Sequence, residues 1–123
     1  MQAKEAAAHL GITPRILRHY EKEGLMDVAR LVNGYRSYGA ADLRRARRIR
    51  DFIASGFSTR EIRAMRACLS DDADGPCEGG IEKMVAKLAH IDRLMSDLHA
   101  RRQSVLDRIE DLQRAPLVAA SQD

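Results

Sequence analysis

Apolar residues recur with a seven-residue period over the last part of the chain, from Ile81 to Leu112. Ten positions make up the two core registers of this heptad, and nine of them are apolar: Ile81, Leu88, Met95, Arg102 and Ile109 in one register, and Met84, Ile91, Leu98, Val105 and Leu112 in the other. Such a narrow seam is typical of a coiled coil rather than of a helix in a globular core. A helix over residues 81–113 would be roughly 50 Å long at about 1.5 Å per residue, so its seam must pack on another chain.

The amino-acid composition also favours a partner chain. The 123 residues are 45% hydrophobic, which is ordinary for a globular protein, but only 4% are aromatic and none is tryptophan. A monomer with so few large side chains has little material for a core, so we expect a partner to complete the burial. Neither an apolar run of about 18 residues nor a signal-peptide core is present. We therefore expect a cytoplasmic protein without membrane segments, whose two cysteines are reduced thiols.

Two short helices are predicted near the N-terminus. Thr13 is suited to cap a helix that starts at Pro14, and Gly24 is suited to end it about ten residues later. The stripe that would face inward consists of Ile16, Leu17 and Tyr20, and the basic side chains that would project outward are Arg15, Arg18, His19 and Lys22. A shorter helix upstream ends at Gly11. The pair is typical of a helix-turn-helix with a cationic recognition helix.

A tight turn is predicted at Asn33-Gly34, a dipeptide that favours two-residue hairpins because both positions tolerate a positive φ. Tyr35, Arg36 and Tyr38 come directly after this turn. A basic hairpin next to a helix-turn-helix is typical of a wing. The two segments together therefore predict a winged helix-turn-helix.

Charge is divided unevenly along the chain. Residues 1–70 carry 14 Lys and Arg against 7 Asp and Glu, a net charge of +7, whereas residues 71–123 carry 7 against 11, a net charge of −4. The basic half predicts binding to a polyanion, since Arg and Lys gain affinity by neutralising phosphates. Five arginines lie on a third helix predicted over about residues 40–55, and we expect one or two of them to reach phosphates while the others form a solvated face: Arg44, Arg45, Arg47, Arg48 and Arg50.

Helix-capping and turn-forming residues mark the boundaries of the predicted segments. Ser58 and Glu61 form a capping-box pattern that starts a further helix, and a loop rich in Asp and Gly follows Ser70. We predict a mainly α fold in four segments: a winged helix-turn-helix DNA-binding domain over residues 1–70, a loop over 71–80, a coiled-coil dimerisation helix over 81–113 and a flexible tail over 114–123.

These segments resemble the MerR family of bacterial transcription regulators. The resemblance is carried by Arg15-Ile16-Leu17-Arg18-His19-Tyr20-Glu21 with Gly24-Leu25, by Asn33-Gly34-Tyr35-Arg36-Ser37-Tyr38, and by the long terminal helix. Asp27-Val28-Ala29 stands where the family often has a proline pair. In the family the long helix pairs antiparallel with its twin. The resemblance thus implies a homodimer on palindromic double-stranded promoter DNA, distortion of that DNA, and RNA polymerase as a partner.

The resemblance also implies which side chains contact DNA: Thr13, Arg15, Arg18, His19, Tyr20, Lys22, Arg36 and Tyr38. We expect Arg15 to reach a base edge, and we expect Tyr20, Arg36 and Tyr38 to hold phosphates. Core packing is an equally good interpretation of Tyr20 and the better one for Tyr35.

Cys68 and Cys77 are the candidates for sensing a signal. Metal-sensing members of the family carry a further cysteine-bearing loop after the long helix, whereas no thiol follows Leu112 here. Two thiolates alone fit only a linear Cu(I)-like ion, unless His90 or another chain adds a ligand, and an iron-sulfur cluster needs four cysteines. We therefore predict no metal and no cofactor. Redox or electrophile sensing is favoured over metal sensing, and a structural role as small buried residues is the commonest alternative.

The sequence therefore predicts a dimeric regulator that represses or activates by distorting promoter DNA in response to a thiol-reactive or redox signal. Two other functions stay open: an effector-independent architectural or excisionase-like DNA-binding protein, and a coiled-coil interaction protein whose basic half binds another polyanion. We do not expect an enzyme. Neither cysteine lies near a histidine in a recognisable motif, and no phosphate-cradling glycine loop or paired-carboxylate site is present.

Overall fold

The computed structural model describes residues 1–70, 77 and 79–116, and these residues are mainly helical. The elements, in chain order, are α1 (Ala3–Leu10), α2 (Pro14–Lys22), α3 (Ala40–Ala54), α4 (Thr59–Ala64), a 3-10 helix (Arg66–Leu69) and α5 (Gly80–Arg114). The predicted mainly α fold with a long terminal helix is confirmed. Most of the loop predicted over 71–80 and residues 117–123 of the predicted tail lie outside the described residues.

The chain divides into two units, which we name the N-terminal unit (Met1–Lys83) and the C-terminal unit (from Met84 onward). The division falls inside α5, one turn after its start. The first turn of α5, from Gly80 to Lys83, is therefore part of the N-terminal unit.

Capping and a glycine turn fold α1 and α2 into the helix-turn-helix. The Ile16 amide donates to Thr13 Oγ1 at 3.1 Å, so Thr13 caps α2, and Pro14 takes the first helical position. Gly11 ends α1 with a φ of 68°, a left-handed conformation that glycine adopts without a steric penalty. These two local signals set the angle at which α2 leaves α1.

The core of the N-terminal unit draws on all of its elements from α1 to the 3-10 helix. Leu17 of α2, Ile49 of α3 and Ile62 of α4 are fully buried at its centre. Fourteen buried apolar residues form one cluster: Ala6, Ala7, Leu10, Leu17, Tyr20, Leu25, Met26, Tyr38, Ala46, Ile49, Phe57, Ile62, Met65 and Leu69. Burial of a leucine or isoleucine side chain contributes roughly 1.5–3 kcal/mol, so this cluster is the main stabilising feature of the unit.

The wing differs from the predicted two-residue hairpin. The Leu31 amide donates to Tyr35 O at 2.7 Å and the Gly34 amide donates to Leu31 O at 2.9 Å, which encloses a loop of three residues, 32–34. Among the described residues only glycines have a positive φ, so Asn33 does not share that role with Gly34, whose φ is 86°. A turn followed by a left-handed glycine is the usual three-residue alternative. One antiparallel bridge pairs the arms, between Arg30 and Arg36.

Three arginines of α3 bind backbone carbonyl groups. Arg50 Nη1 donates to Leu10 O at 2.7 Å, at the end of α1. The other two act in the same way, Arg45 on Leu25 O at 2.6 Å and Arg48 on Leu69 O at 3.1 Å. Leu10 and Leu69 end their helices, where carbonyl groups lack partners within the helix, and Leu25 lies in the segment that follows α2. The three side chains therefore satisfy these carbonyl groups and connect α3 to its neighbours. The expectation that α3 arginines reach phosphates therefore narrows to Arg44 and Arg47, which are exposed.

The predicted capping box starts α4. The Glu61 amide donates to Ser58 Oγ at 3.1 Å, and the Ser58 amide donates to the Glu61 carboxylate at 3.0 Å. Reciprocal capping satisfies two amides that the helix itself leaves without partners.

The apolar seam of α5 is exposed except at Ile91, which is half-buried. Each of the following heptad residues is at least 41% exposed: Ile81, Met84, Leu88, Met95, Leu98, Val105, Ile109 and Leu112. An apolar surface of this extent marks a site of association rather than ordinary solvent exposure. In the part of the chain that the structure describes, no helix combines the length and apolarity that crossing a membrane requires.

Candidate nucleic-acid interface

The basic side chains of α2 lie on its solvent-exposed side. Arg15, Arg18, His19 and Lys22 are all exposed, and so is the capping residue Thr13. The buried residues of α2 are Leu17 and Tyr20. Burial of one side of this helix therefore turns the cationic side outward, in the arrangement that a recognition helix needs to enter a DNA groove.

An ion pair fastens the wing to α2. The Arg36 Nε group donates to a carboxylate oxygen of Glu21, and the two side chains are 29% and 18% exposed. A partly buried charge-assisted bond of this kind has a defined geometry, unlike a fully exposed pair. A guanidinium has further N–H donors, so Arg36 can hold Glu21 through Nε and still direct donors outward. Glu21 was not among the predicted site residues; its only sequence signal is its place in the family-like motif.

Arg36 and Arg18 also share a surface cleft between α1, α2 and the wing. The cleft has a volume of about 300 Å³ and is lined by Gln2, Ala3, Lys4, Arg18, Gly34, Tyr35 and Arg36. Three of these residues carry positive charge and none carries negative charge, so the cleft is suited to a phosphate group. Lys4 was missed by the sequence predictions. A cation in the first turn of a helix opposes the helix dipole, and that unfavourable placement is the signal that could have identified it.

The exposure of Tyr35 and Tyr38 is the reverse of what the sequence predicted. Tyr35, for which core packing was the favoured interpretation, is 62% exposed and lines the cleft. Tyr38, predicted to hold a phosphate, is only 2% exposed and belongs to the core cluster. The backbone of Tyr38 makes two hydrogen bonds with Met1, each 2.8 Å long, and these contacts hold Tyr38 against the N-terminal unit with its ring in the core.

Burial also removes Tyr20 from the predicted phosphate contacts, since its exposure is 3%. Burial raises the pKa of Tyr20, and it raises the pKa of Tyr38, where the nearby Glu21 carboxylate adds to the rise. Both phenols are therefore neutral at physiological pH. The Tyr38 hydroxyl is buried and has no hydrogen-bond partner among the residues that the structure describes. We assign both tyrosines to positioning α2 and the wing rather than to contact with DNA.

The two cysteines are joined in a disulfide, with Cα atoms 5.1 Å apart. The expectation of reduced thiols is therefore wrong for this structure, because the chain brings two cysteines nine residues apart into bonding contact. Within the described residues, no group of three His, Cys, Asp or Glu side chains could hold a metal ion. Cys68 packs partly buried against the core, and Cys77 lies just before α5.

The fold and this cationic surface define a winged helix-turn-helix DNA-binding protein. Residues 1–67 match the family model described as MerR HTH family regulatory protein. The match covers more than half of the chain, and the protein belongs to the MerR family of transcription regulators.

Individual relatives and a solved structure agree with this assignment. The HTH-type transcriptional regulator HmrR of Rhizobium leguminosarum bv. viciae is 32% identical over 105 residues, which cover 85% of this chain and 81% of the relative. The regulator ZntR of Escherichia coli (strain K12) is 29% identical over 108 residues, or 87% and 76% of the two chains. HiNmlR, a MerR family regulator lacking the sensor domain and bound to promoter DNA, has the same fold, with a TM-score of 0.59 at 23% identity over 93% and 90% of the two chains.

Proposed function

We propose that the protein is a dimeric transcription regulator that binds a palindromic promoter site and distorts the DNA between its half-sites. One observation carries the proposal: the same short chain has an exposed cationic surface on α2 and the wing, which we name the reader, and an exposed apolar seam on α5. Affinity for phosphates explains the first surface, and association explains the second. The cationic surface lies in the N-terminal unit, and all of the seam except Ile81 lies in the C-terminal unit.

The heptad seam supports a homodimer through α5, paired antiparallel as in the family. Two identical chains related by a two-fold axis present two identical readers, which match the two halves of a palindrome. Distortion of promoter DNA follows if the spacing of the readers differs from the spacing of the half-sites, because the DNA must then bend or untwist to engage both. RNA polymerase is the partner that would read this distortion, and the cytoplasm, where bacterial promoters lie, is the proposed location.

The DNA contacts are proposed for the exposed part of the predicted set. Arg15 is placed to reach a base edge, and Arg18, Lys22 and Arg36 are placed to neutralise phosphates. Thr13 and His19 are also exposed and belong to the proposed set. His19 Nε2 lies 4.0 Å from a Glu23 carboxylate oxygen, so an acidic neighbour would accompany any contact that His19 makes with DNA.

The input is proposed to be a thiol-reactive or redox signal at Cys68 and Cys77. A pair of cysteines that the fold brings together can exist as a disulfide or as two thiols, and these two states differ in how they constrain the chain. The coupling of this change to DNA binding would make the protein a regulator rather than an effector-independent architectural protein.

Sedimentation equilibrium and selection of binding sites from random DNA test the proposal together. We expect a dimer, a selected sequence with two-fold symmetry, and a DNA bend in the complex measured by fluorescence energy transfer. A monomer, or an asymmetric selected site, would contradict the dimeric reader. Transcription from the selected site that ignores thiol oxidants, both in the wild type and in a Cys68→Ser variant, would favour the architectural alternative.

A further inference from the structure

The disulfide ties the DNA-binding part of the chain to the beginning of the dimerisation helix. Cys68 lies in the 3-10 helix, directly before Leu69, which is 1% exposed in the core. Cys77 lies three residues before Gly80, where α5 begins. The bond therefore connects the edge of the core to the start of α5, and both ends of it lie in the N-terminal unit.

The first turn of α5 is seated directly on the two sulfur atoms. Gly80 is buried, and a Cβ atom added to it would lie 2.2 Å from Cys77 Sγ and 3.1 Å from Cys68 Sγ. No side chain larger than a hydrogen fits there while the sulfurs keep these positions. The Gly80 amide donates to Cys77 O at 3.0 Å. Lys83 Nζ donates to Ala64 O at 2.7 Å, which adds a second connection from this turn to α4.

One of the two cysteines lines a surface pocket. Cys68 lines a surface pocket of about 270 Å³ together with Arg48, Asp51, Phe52 and Ser55. The Arg48 guanidinium is held in place by its bond to Leu69 O, and Asp51 is bound by Arg50 at 3.1 Å. A nearby cation stabilises the thiolate form of a cysteine, which is the reactive form in thiol chemistry. The pocket therefore gives small reagents a route towards Cys68, and Arg48 on its lining supplies a positive charge.

We propose that Cys68–Cys77 is a reversible latch, opened by low-molecular-weight thiols and closed by their disulfides. A thiolate of the small thiol attacks Cys68 Sγ, the bond to Cys77 breaks, and Cys77 leaves as a thiolate that takes up a proton. A second small thiolate attacks the mixed disulfide and displaces the Cys68 thiolate. Two small thiols become one small disulfide, and two electrons and two protons pass to the protein. The reverse sequence closes the latch.

Opening the latch frees the first turn of α5 while leaving the recognition helix and wing folded. The packing of Gly80 on the sulfurs is lost, whereas the core cluster contains neither cysteine among its fully buried members. In the dimer proposed above, on which this inference rests, the two readers are then less fixed in spacing. Looser spacing lowers the effective concentration of the second reader at its half-site, but it leaves the binding of one reader unchanged.

The test measures redox state and DNA binding on the same full-length samples. The protein is equilibrated in glutathione buffers of graded redox potential. One part of each sample is alkylated, and mass spectrometry then gives the fraction of protein with free thiols. The other part is used to measure the affinity for the selected palindrome and for a single half-site. We expect reduction under native conditions to lower palindrome affinity at least about tenfold, with half-site affinity changed less than about twofold. Equal palindrome affinities of the oxidised and the reduced protein would overturn the proposal. So would a disulfide that glutathione reduces only after the protein is denatured.

Variants separate the latch from general damage. A Cys68→Ser/Cys77→Ser double variant should bind as the reduced wild type does in every buffer. Gly80→Ala should shift the thiol–disulfide equilibrium towards thiols, since its Cβ occupies the space that the sulfurs fill. Ser104→Ala, an exposed change on α5 outside the heptad seam, serves as the matched control and should behave as wild type. If no palindrome is selected at all, the proposed dimeric DNA-binding function fails. If a palindrome is selected but its binding ignores redox state, the latch and the redox input fail while the dimeric DNA-binding function stands.

Discussion

The two units use the same kind of residue for opposite purposes. In the N-terminal unit, Leu17, Ile49 and Ile62 are buried against each other, whereas in the C-terminal unit Leu88 and Leu98 are 58% and 61% exposed. Short helices joined by tight turns can cover one another, but a straight helix of 35 residues cannot fold back on itself. Apolar residues therefore stabilise the monomer in the N-terminal unit, whereas in the C-terminal unit they stay exposed unless another chain packs on them.

The largest effect is expected from a charge placed in the seam of α5. Leu98→Lys puts an ammonium group where two apolar surfaces would meet, so the dimer should be lost and palindrome affinity should fall about a hundredfold or more. Sedimentation equilibrium and gel-shift titration measure the two effects. Ser104→Lys adds the same charge outside the seam and should change neither. A dimer that survives Leu98→Lys would show that α5 is not the interface.

The next effect is expected in the core of the N-terminal unit. Leu17→Ala removes a fully buried side chain and should lower the free energy of unfolding by about 2–5 kcal/mol. Leu31→Ala, at a wing position that is 49% exposed, should change it by less than about 0.5 kcal/mol. Urea denaturation followed by circular dichroism compares them. Similar losses for both variants would mean that the wing is as tightly packed as the core.

A smaller effect separates arginines that face DNA from arginines that hold carbonyl groups. Arg36→Ala should weaken binding to all sequences by a similar factor and should reduce the slope of log affinity against log salt by about 1. Arg50→Ala should lower the free energy of unfolding, because Leu10 O loses its partner, yet leave the salt slope unchanged. DNA titrations at several salt concentrations give both slopes. An unchanged slope for Arg36→Ala would remove this residue from the interface.

The smallest effect is expected at the buried phenol of the wing. Tyr38→Phe deletes a buried hydroxyl for which the described part of the chain supplies no hydrogen-bond partner, so stability should stay the same or rise by up to about 1 kcal/mol. DNA affinity, measured by fluorescence anisotropy, should change by less than about twofold. A large loss of affinity with unchanged stability would restore Tyr38 as a DNA contact and would mean that the wing opens on binding.

The sequence predicted those features that depend on local chemistry. The cap at Thr13, the capping box of Ser58 and Glu61, and the heptad of α5 are each read from residue types at fixed spacing, and the fold follows from them. It failed where the outcome depends on contacts between distant segments. The turn at Gly34 has three residues instead of two. No spacing rule predicts the bonds between Tyr38 and Met1 or the carbonyl partners of Arg45 and Arg50. The Cys68–Cys77 bond likewise depends on how the 3-10 helix and the start of α5 meet.

The arginines of the N-terminal unit hold two kinds of acceptor, which differ in their sensitivity to salt. Arg45, Arg48 and Arg50 bind backbone carbonyl groups, which carry no net charge, so these connections depend little on ionic strength. Arg36 binds the Glu21 carboxylate, and the attraction between two opposite charges near the surface weakens as salt is added. Rising salt should therefore loosen the wing from α2 while the helical frame beneath it stays assembled.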